Sequence, residues 1–244
     1  MEAWGITDKG MVRTQNQDSF FLDVLHKENF GVCVVSDGMG GARAGNIASE
    51  IAVTTFIEEI RQNYKSNMNQ KYTEEIADKA LYKSNRKVYD KSKSDAEFYG
   101  MGTTLVGAII FGNEAVVINV GDSRAYLIDS DGIVKITHDH SVVEDMLDKG
   151  EITQDEARIH PSRNLITRAL GTEIDVEGDI YYHKLQNGSF LLLCSDGLSN
   201  MIEDQEILYE VLHGGEPGTC CSRLLNIANT RGGPDNITVV LVLI

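Results

Sequence analysis

The chain has 244 residues, 22 basic and 37 acidic, for a formal net charge of −15. Such an acidic surplus repels phosphate backbones and argues against a nucleic-acid partner. Hydrophobic residues make up 42 % and charged residues 24 %, enough for a sizeable globular core, with no apolar run long enough to span a bilayer and no basic, apolar leader at Met1-Glu2-Ala3-Trp4.

No repeat, low-complexity tract or Pro-rich linker interrupts the chain, so a single domain over 1–244 is expected. The four cysteines, Cys33, Cys194, Cys220 and Cys221, form no C-x-x-C pair, and Cys33 and Cys194 lie in apolar runs. They read as buried thiols in a reducing cytoplasm; a redox role for Cys220-Cys221 is the weaker alternative.

In chain order, residues 30–36 form an apolar, β-rich run. Ala48, Ala52, Phe56 and Ile60 recur every four residues and predict a helix. Ile76, Ala80, Ser84 and Val88 predict a second. Runs at 103–111, 115–120 and 125–128 follow closely, with Gly112-Asn113 and Asp131-Gly132 as hairpin turns. Several are apolar on both faces, as strands covered on both sides are.

The stretch 137–168 is rich in charge, holds His138, His140 and His160, and carries a capping-box pattern from Thr153 to Glu156. It reads as short helices and loops over the sheet ends, a lid. A strand at 190–194 follows. Two helices are marked by Ile207, Leu208, Val211 and Leu212, and by Leu224, Leu225 and Ala228. Gly232-Gly233 can terminate the second. A strand at 237–244 closes the order. Paired helices and hairpins argue against a Rossmann-type α/β fold. The predicted class is α+β: two packed antiparallel sheets with helices outside.

The chemistry lies where apolar strands end in acidic residues: Val35-Ser36-Asp37-Gly38, Val120-Gly121-Asp122, Cys194-Ser195-Asp196-Gly197, and Pro234-Asp235-Asn236 before the last strand. Most Asp-Gly pairs are only turns, and Asp131-Gly132, after polar Ser130, is one. The others abut strands apolar enough to be buried, where a carboxylate is costly unless paired. Arg43, Arg124 and Arg231 are the nearest basic residues in sequence. Divalent cations are the natural partner, and oxygen donors suit Mg²⁺, Mn²⁺ or Ca²⁺; no zinc-type Cys/His cluster exists. Gly38 to Gly41 would let backbone approach an ion closely, or simply make a tight turn. Near the start, Arg13 stands before Gln15, Asn16, Gln17 and Asp18. It could be an ordinary surface residue, or a guanidinium clamping two phosphate oxygens.

Together these segments resemble the metal-dependent serine/threonine phosphatases of type 2C in their compact bacterial form. Arg13 to Asp18, Asp37-Gly38-Met39-Gly40-Gly41, Gly100-Met101-Gly102-Thr103-Thr104, Val120-Gly121-Asp122-Ser123-Arg124, Ser195-Asp196-Gly197 and Gly232-Gly233-Pro234-Asp235-Asn236 come in the family's order, across essentially the whole chain. Each is weak alone; six in order are not.

The resemblance implies an α-β-β-α sandwich and two Mn²⁺ or Mg²⁺ ions, with a weaker third. It implies that Asp37 bridges the two ions, Gly38 offers its carbonyl to the second, and Asp196 and Asp235 complete the first. Asp18 would hold a water on the second. Arg13 would bind substrate phosphate. Asp122, with Asp196, and Asp139 are candidates for the third ion, and 137–168 would be the mobile flap, with His160 and Asn164 facing substrate. The family's activity is hydrolysis of phosphoserine and phosphothreonine in proteins, by a hydroxide bridging the two metals and without a covalent intermediate. The expected partners are phosphoproteins and a bacterial serine/threonine kinase, with the chain a monomer and no membrane contact.

Two positions depart from the family pattern. Met39 replaces a histidine thought to protonate the leaving group, and Gln17 replaces a glutamate. Rival readings are a metal-dependent phosphatase of small phosphate esters, a phosphodiesterase, and a catalytically silent phosphoprotein-binding module. The intact set Asp37, Asp196 and Asp235 argues against the last. Cysteine-phosphatase chemistry is disfavoured, because no cysteine has an arginine six positions on.

Overall fold

The computed structural model describes residues 1–25, 29–40 and 44–244. Strands β1 (Glu2–Asp8), β2 (Asp18–Leu25) and β3 (Phe30–Met39) lead into helices α1 (Ala44–Asn63) and α2 (Gln70–Ser92). Then come β4 (Gly102–Thr103), β5 (Leu105–Phe111), β6 (Glu114–Val120), β7 (Arg124–Asp129) and β8 (Gly132–Lys135). Short helices α3 (Val142–Asp148) and α4 (Gln154–Ile159) precede β9 (Asp179–Lys184) and β10 (Phe190–Cys194). Helices α5 (Asp196–Ser199), α6 (Asp204–His213) and α7 (Pro217–Thr230) precede β11 (Ile237–Leu243).

One sheet runs β1-β11-β10-β7-β8 and the other β2-β3-β5-β6-β9, with β4 on β3. Every pairing is antiparallel. The expected α+β class, two antiparallel sheets with outer helices, is the architecture found.

The layering follows from strand alternation. Along β3, Phe30, Val32 and Val34 pack with α1 and α2, through Phe56, Ile60, Ile76 and Leu81. Cys33 and Val35 point the other way, into a core between the sheets that also takes Leu191, Leu193, Val240 and Val242. Leu192, Cys194, Val239 and Leu241 turn outward onto Ile207, Val211, Leu224 and Ala228 of the C-terminal helices. Three apolar layers thus separate four structural layers, which is why these strands are apolar on both faces. All four cysteines are buried and free.

Strands β1, β2 and β9 were not evident in the sequence. Most of their residues are only half-buried. β1 and β2 lie at sheet edges, where alternation is diluted by exposed positions, and β9 mixes tyrosines with charges. The 137–168 stretch does hold two short helices. Ser141 caps α3, and Thr153 with Glu156 forms the expected capping box of α4. Its far end is stitched back to the body. Val142 donates its N–H to the Leu165 carbonyl, Thr167 donates to that of His140, and Thr103 and Leu170 exchange backbone hydrogen bonds. Among the described residues, no helix is long and apolar enough to cross a membrane.

Candidate metal centre

Strand direction gathers the acidic residues. β2 begins where β3 ends, so Asp18 pairs in register with Asp37. β10 ends beside the starts of β7 and β11, where Cys194 pairs with Arg124 and with Val239. Asp122, Asp196 and Asp235 therefore lie at the same end of the molecule as Asp18 and Asp37. Asp18 and Asp37 belong to one sheet; Asp196 and Asp235 flank strands of the other.

Asp37 is held by its backbone. The Asp37 N–H donates to the Thr104 hydroxyl at 2.9 Å. The Asp37 carbonyl accepts the Thr104 N–H at 2.9 Å and the Thr103 hydroxyl at 2.8 Å. The Gly102-Thr103-Thr104 segment is thus the brace of Asp37. Buried Asn236 does the same for the N-terminal loop. It accepts the Gln17 N–H at 2.8 Å and donates to the carbonyls of Lys9 and Gln15 at 3.0 and 2.9 Å. Asp235 and Asp18 are therefore fixed to one another's loops. Gly38 has no room for a side chain: a Cβ there would stand 2.0 Å from the Gly45 carbonyl oxygen and 2.6 Å from that of Gln17.

The electrostatics are those of crowded anions. Burial, and then repulsion from Asp18, Asp196, Asp122 and Asp235, drive the Asp37 carboxyl well above its ordinary range. Burial pushes Asp18 up to about 7 against the hydrogen bonds of Thr238 and Ser195. Burial and then the charge of Asp235 push Asp196 up to about 6. Asp122 is raised by burial and by Asp196 and Asp139. Two carboxylate oxygens, Asp18 Oδ1 and Asp196 Oδ1, are buried with no hydrogen-bond partner. Such anions call for a cation.

Hard oxygen donors and a glycine carbonyl are the donor chemistry of Mn²⁺ and Mg²⁺, and the two orphaned oxygens fit that role. In the arrangement seen, no three Asp, Glu, His or Cys side chains among the described residues are gathered closely enough to hold an ion by themselves. The Arg13 guanidinium instead donates to Asp235 Oδ2 at 2.8 Å, while Asp196 Oδ2 accepts from the Asn200 amide at 3.0 Å.

Other expected residues fall differently. Asp139 lies near Asp122, but Arg124 grips its Oδ2 through two nitrogens, at 2.8 and 2.6 Å, and Lys135 reaches Oδ1 at 3.4 Å. Of the three arginines near the acidic motifs in sequence, Arg231 is occupied with Glu206 and Arg43 lies outside the described residues, as does Gly41. His160 caps α4, accepting the Ser162 N–H on Nδ1 at 3.1 Å, and Asn164 is exposed. Met39 pairs with Gly102, its methyl group packing over that glycine. His140 takes a structural part. Its Nδ1 accepts the Gly121 N–H at 3.1 Å, so Nε2 carries the proton and donates to Asp179 at 3.1 Å. Burial lowers its pKa, keeping this neutral tautomer, which braces the turn before Asp122.

Fold and acidic site meet in one family. The protein phosphatase 2C model matches residues 11–214, and the chain belongs to that family. It is 38 % identical over 243 residues to a serine/threonine phosphatase, stp, of Listeria monocytogenes, covering 99 % of this chain and 95 % of that one. The S. agalactiae serine/threonine phosphatase structure superposes with a TM-score of 0.91 at 34 % identity, covering 100 % and 99 % of the two chains. The catalytic domain of the phosphatase PstP, solved in complex with two manganese ions, superposes with a TM-score of 0.85 at 31 % identity over 98 % and 96 %. The protein is thus a serine/threonine protein phosphatase of a metal-dependent family.

Proposed function

We propose that the acidic end of the two sheets holds two divalent cations, Mn²⁺ or Mg²⁺, and that the chain uses them to hydrolyse phosphoserine and phosphothreonine in proteins. The observation carrying this reading is the set of carboxylates, Asp18, Asp37, Asp122 and Asp196, all driven above their ordinary range at one point of the fold. Asp37 would be shared by both cations. Asp196 and Asp235 complete the first site. The Gly38 carbonyl, and Asp18 through water, serve the second. Asp122 with Asp196 is the place for a weaker third. Asp139, held by Arg124 in the structure, is a further candidate for that third ion.

When bound, the cations supply Lewis acidity toward water and toward the phosphoryl oxygens. The chain's own residues do the rest. Arg13 reaches the site from outside, with half of its side chain exposed, and can turn from Asp235 to clamp two phosphate oxygens and neutralise them as charge shifts. Met39 has no proton to give, so position 39 contributes packing and the leaving alkoxide is protonated from elsewhere. The segment 137–168, stitched at both ends, presents His160 and Asn164 toward a protein substrate as a flap on one catalytic domain. The substrates we infer are targets of a serine/threonine kinase. The free, buried cysteines suit a reducing cytoplasm.

The test is phosphate release from a phosphothreonine peptide, measured beside nucleotides and sugar phosphates. Activity should vanish in EDTA, return with excess Mn²⁺ or Mg²⁺, and favour the peptide. Full activity in chelator, or a preference for small esters, contradicts the reading.

A further inference from the structure

Asp18 is 7 % exposed, and two fully buried hydroxyls converge on one of its oxygens. Ser195 Oγ donates to Oδ2 at 2.7 Å and Thr238 Oγ1 donates to the same atom at 2.6 Å. Oδ1 is left buried and without a partner. The two hydroxyls stand in the segments that carry the other sheet's acidic residues: Ser195 precedes Asp196, and Thr238 follows Asp235 by three residues. Both are locked in turn. The Thr238 N–H donates to Ser195 Oγ at 3.0 Å. Thr238 gives its own hydroxyl proton to Asp18, so the 2.7 Å contact with Thr7 Oγ1 must be donated by Thr7. Thr7 in turn accepts from the Asn16 amide at 2.8 Å, and Asn16 Oδ1 accepts the Asp18 N–H at 3.2 Å. The ring of hydrogen bonds starts and ends on Asp18 and crosses from one sheet to the other.

Such a ring fixes more than a side-chain rotamer. Asp37 and Asp18 sit on one sheet, and Asp196 and Asp235 flank strands of the other. Any ion held between them needs the two sheet ends at one spacing. Resting on the metal reading above, we propose that Ser195 and Thr238 are positioning residues: a buried clasp between the sheets that aims Asp18 Oδ1 at the second metal and sets the spacing of the ligands of both. Two hydroxyls on one oxygen define its position by triangulation, leaving the other oxygen only one direction.

The test is calorimetric titration of Mn²⁺ into stripped wild-type, Ser195→Ala, Thr238→Val, Thr238→Ser and Asp37→Asn proteins, with the Tm of each measured in EDTA. Partners that orient ligands in this way are worth ~10- to 100-fold in metal affinity. Ser195→Ala and Thr238→Val should therefore each weaken Mn²⁺ binding by ~10-fold or more, most at the second site, and out of proportion to the fall in metal-free Tm that follows the loss of a buried hydroxyl. Thr238→Ser, which keeps the hydroxyl, should bind as the wild type does. Wild-type binding in Ser195→Ala and Thr238→Val overturns the clasp. So does an equal weakening of both sites that tracks a fall in metal-free Tm, because that is the mark of a merely structural role. If Asp37→Asn also binds normally, the metal reading itself falls, an outcome distinct from failure of the clasp alone.

Discussion

Glu59 and Asp18 are both buried carboxylates, 3 % and 7 % exposed, and the protein treats them in opposite ways. Glu59 lies between α1 and α2 and takes Lys79 at 2.7 Å, Lys83, and the Asn63 amide at 2.9 Å. Burial pushes it up, but the hydrogen bonds and charges of the two lysines outweigh that and hold it below its ordinary range. The lysine stems cover the carboxylate while their side chains stay about half exposed, so the cluster is closed and needs nothing from solution. Asp139 is a second case, clamped by Arg124 and Lys135. Asp18, Asp37 and Asp196 have no such balance and all titrate high. A carboxylate paired within the fold serves architecture; carboxylates left crowded where two sheets converge are suited to a cation from outside.

The sharpest way to break that contrast is to neutralise one carboxylate of each kind. Asp37→Asn should lower turnover on a phosphopeptide by ~10³-fold or more, since ~4 kcal/mol of lost transition-state stabilisation has that effect, while the far-UV spectrum stays native. Asp235→Asn should follow it closely. Steady-state kinetics at saturating Mn²⁺ checks both, and activity within a few-fold of wild type would erase the distinction.

Next in size is Arg13. With Arg13 clamping phosphate as proposed, Arg13→Ala removes no carboxylate, and kcat/KM on the phosphopeptide should fall by ~10²-fold, as for the loss of one preorganised donor. Arg13→Lys should recover only part, because a point charge lacks the planar fork. An unchanged kcat/KM would return Arg13 to the status of a surface residue held by Asp235.

Smaller effects separate flap from centre. His160→Ala and Asn164→Ala should reduce phosphopeptide turnover several-fold and leave p-nitrophenyl phosphate nearly untouched. Met39→Ala should change both substrates by similar, modest factors through packing alone. General acid catalysis contributes about 10²–10⁴-fold, and chiefly for leaving groups of high pKa, so a large peptide-selective loss at Met39 would show that this position is not chemically silent.

Glu59→Gln is the mildest and completes the comparison. It removes a charge whose partners are half exposed, so the loss should be at most ~1 kcal/mol, or ~2–4 °C in Tm for a domain of this size. Its Mn²⁺ dependence should match the wild type; altered metal dependence would mean the two regions are not independent.

Much of this was legible in the chain. β3, β5, β6, β10 and β11 announce themselves as runs apolar on both faces, and Asp37, Asp122 and Asp196 stand out because such runs end on them. The helices α1 and α2 follow from a four-residue apolar period. What stayed hidden depends on partners distant in sequence. β1 pairs with β11 across nearly the whole chain, and its half-exposed residues carry little periodic signal. Ser195 and Thr238 lie within or beside the acidic motifs, yet the residue they hold is 177 and 220 positions away. Arg13 meets Asp235 across 222 positions. Asp139 stands beside two histidines, but its partner Arg124 lies 15 positions away in sequence.

The central claim is that the crowded carboxylates bind divalent cations, and titration of Mn²⁺ into the EDTA-stripped protein tests it most directly. Asp18 and Asp196 are raised, to about 7 and about 6, so the folded protein without metal retains their protons and loses that stabilisation as pH rises through those values. Cations compete with the same protons. Their binding must release protons, and their affinity must rise between pH 5.5 and 8. His140 and His183, lowered chiefly by burial, act on stability with the opposite sign. The account predicts two Mn²⁺ ions per wild-type chain, proton release on binding, tighter binding at higher pH, and lost or much weakened binding in Asp37→Asn. Binding that is absent, independent of pH, or unchanged in Asp37→Asn would contradict it.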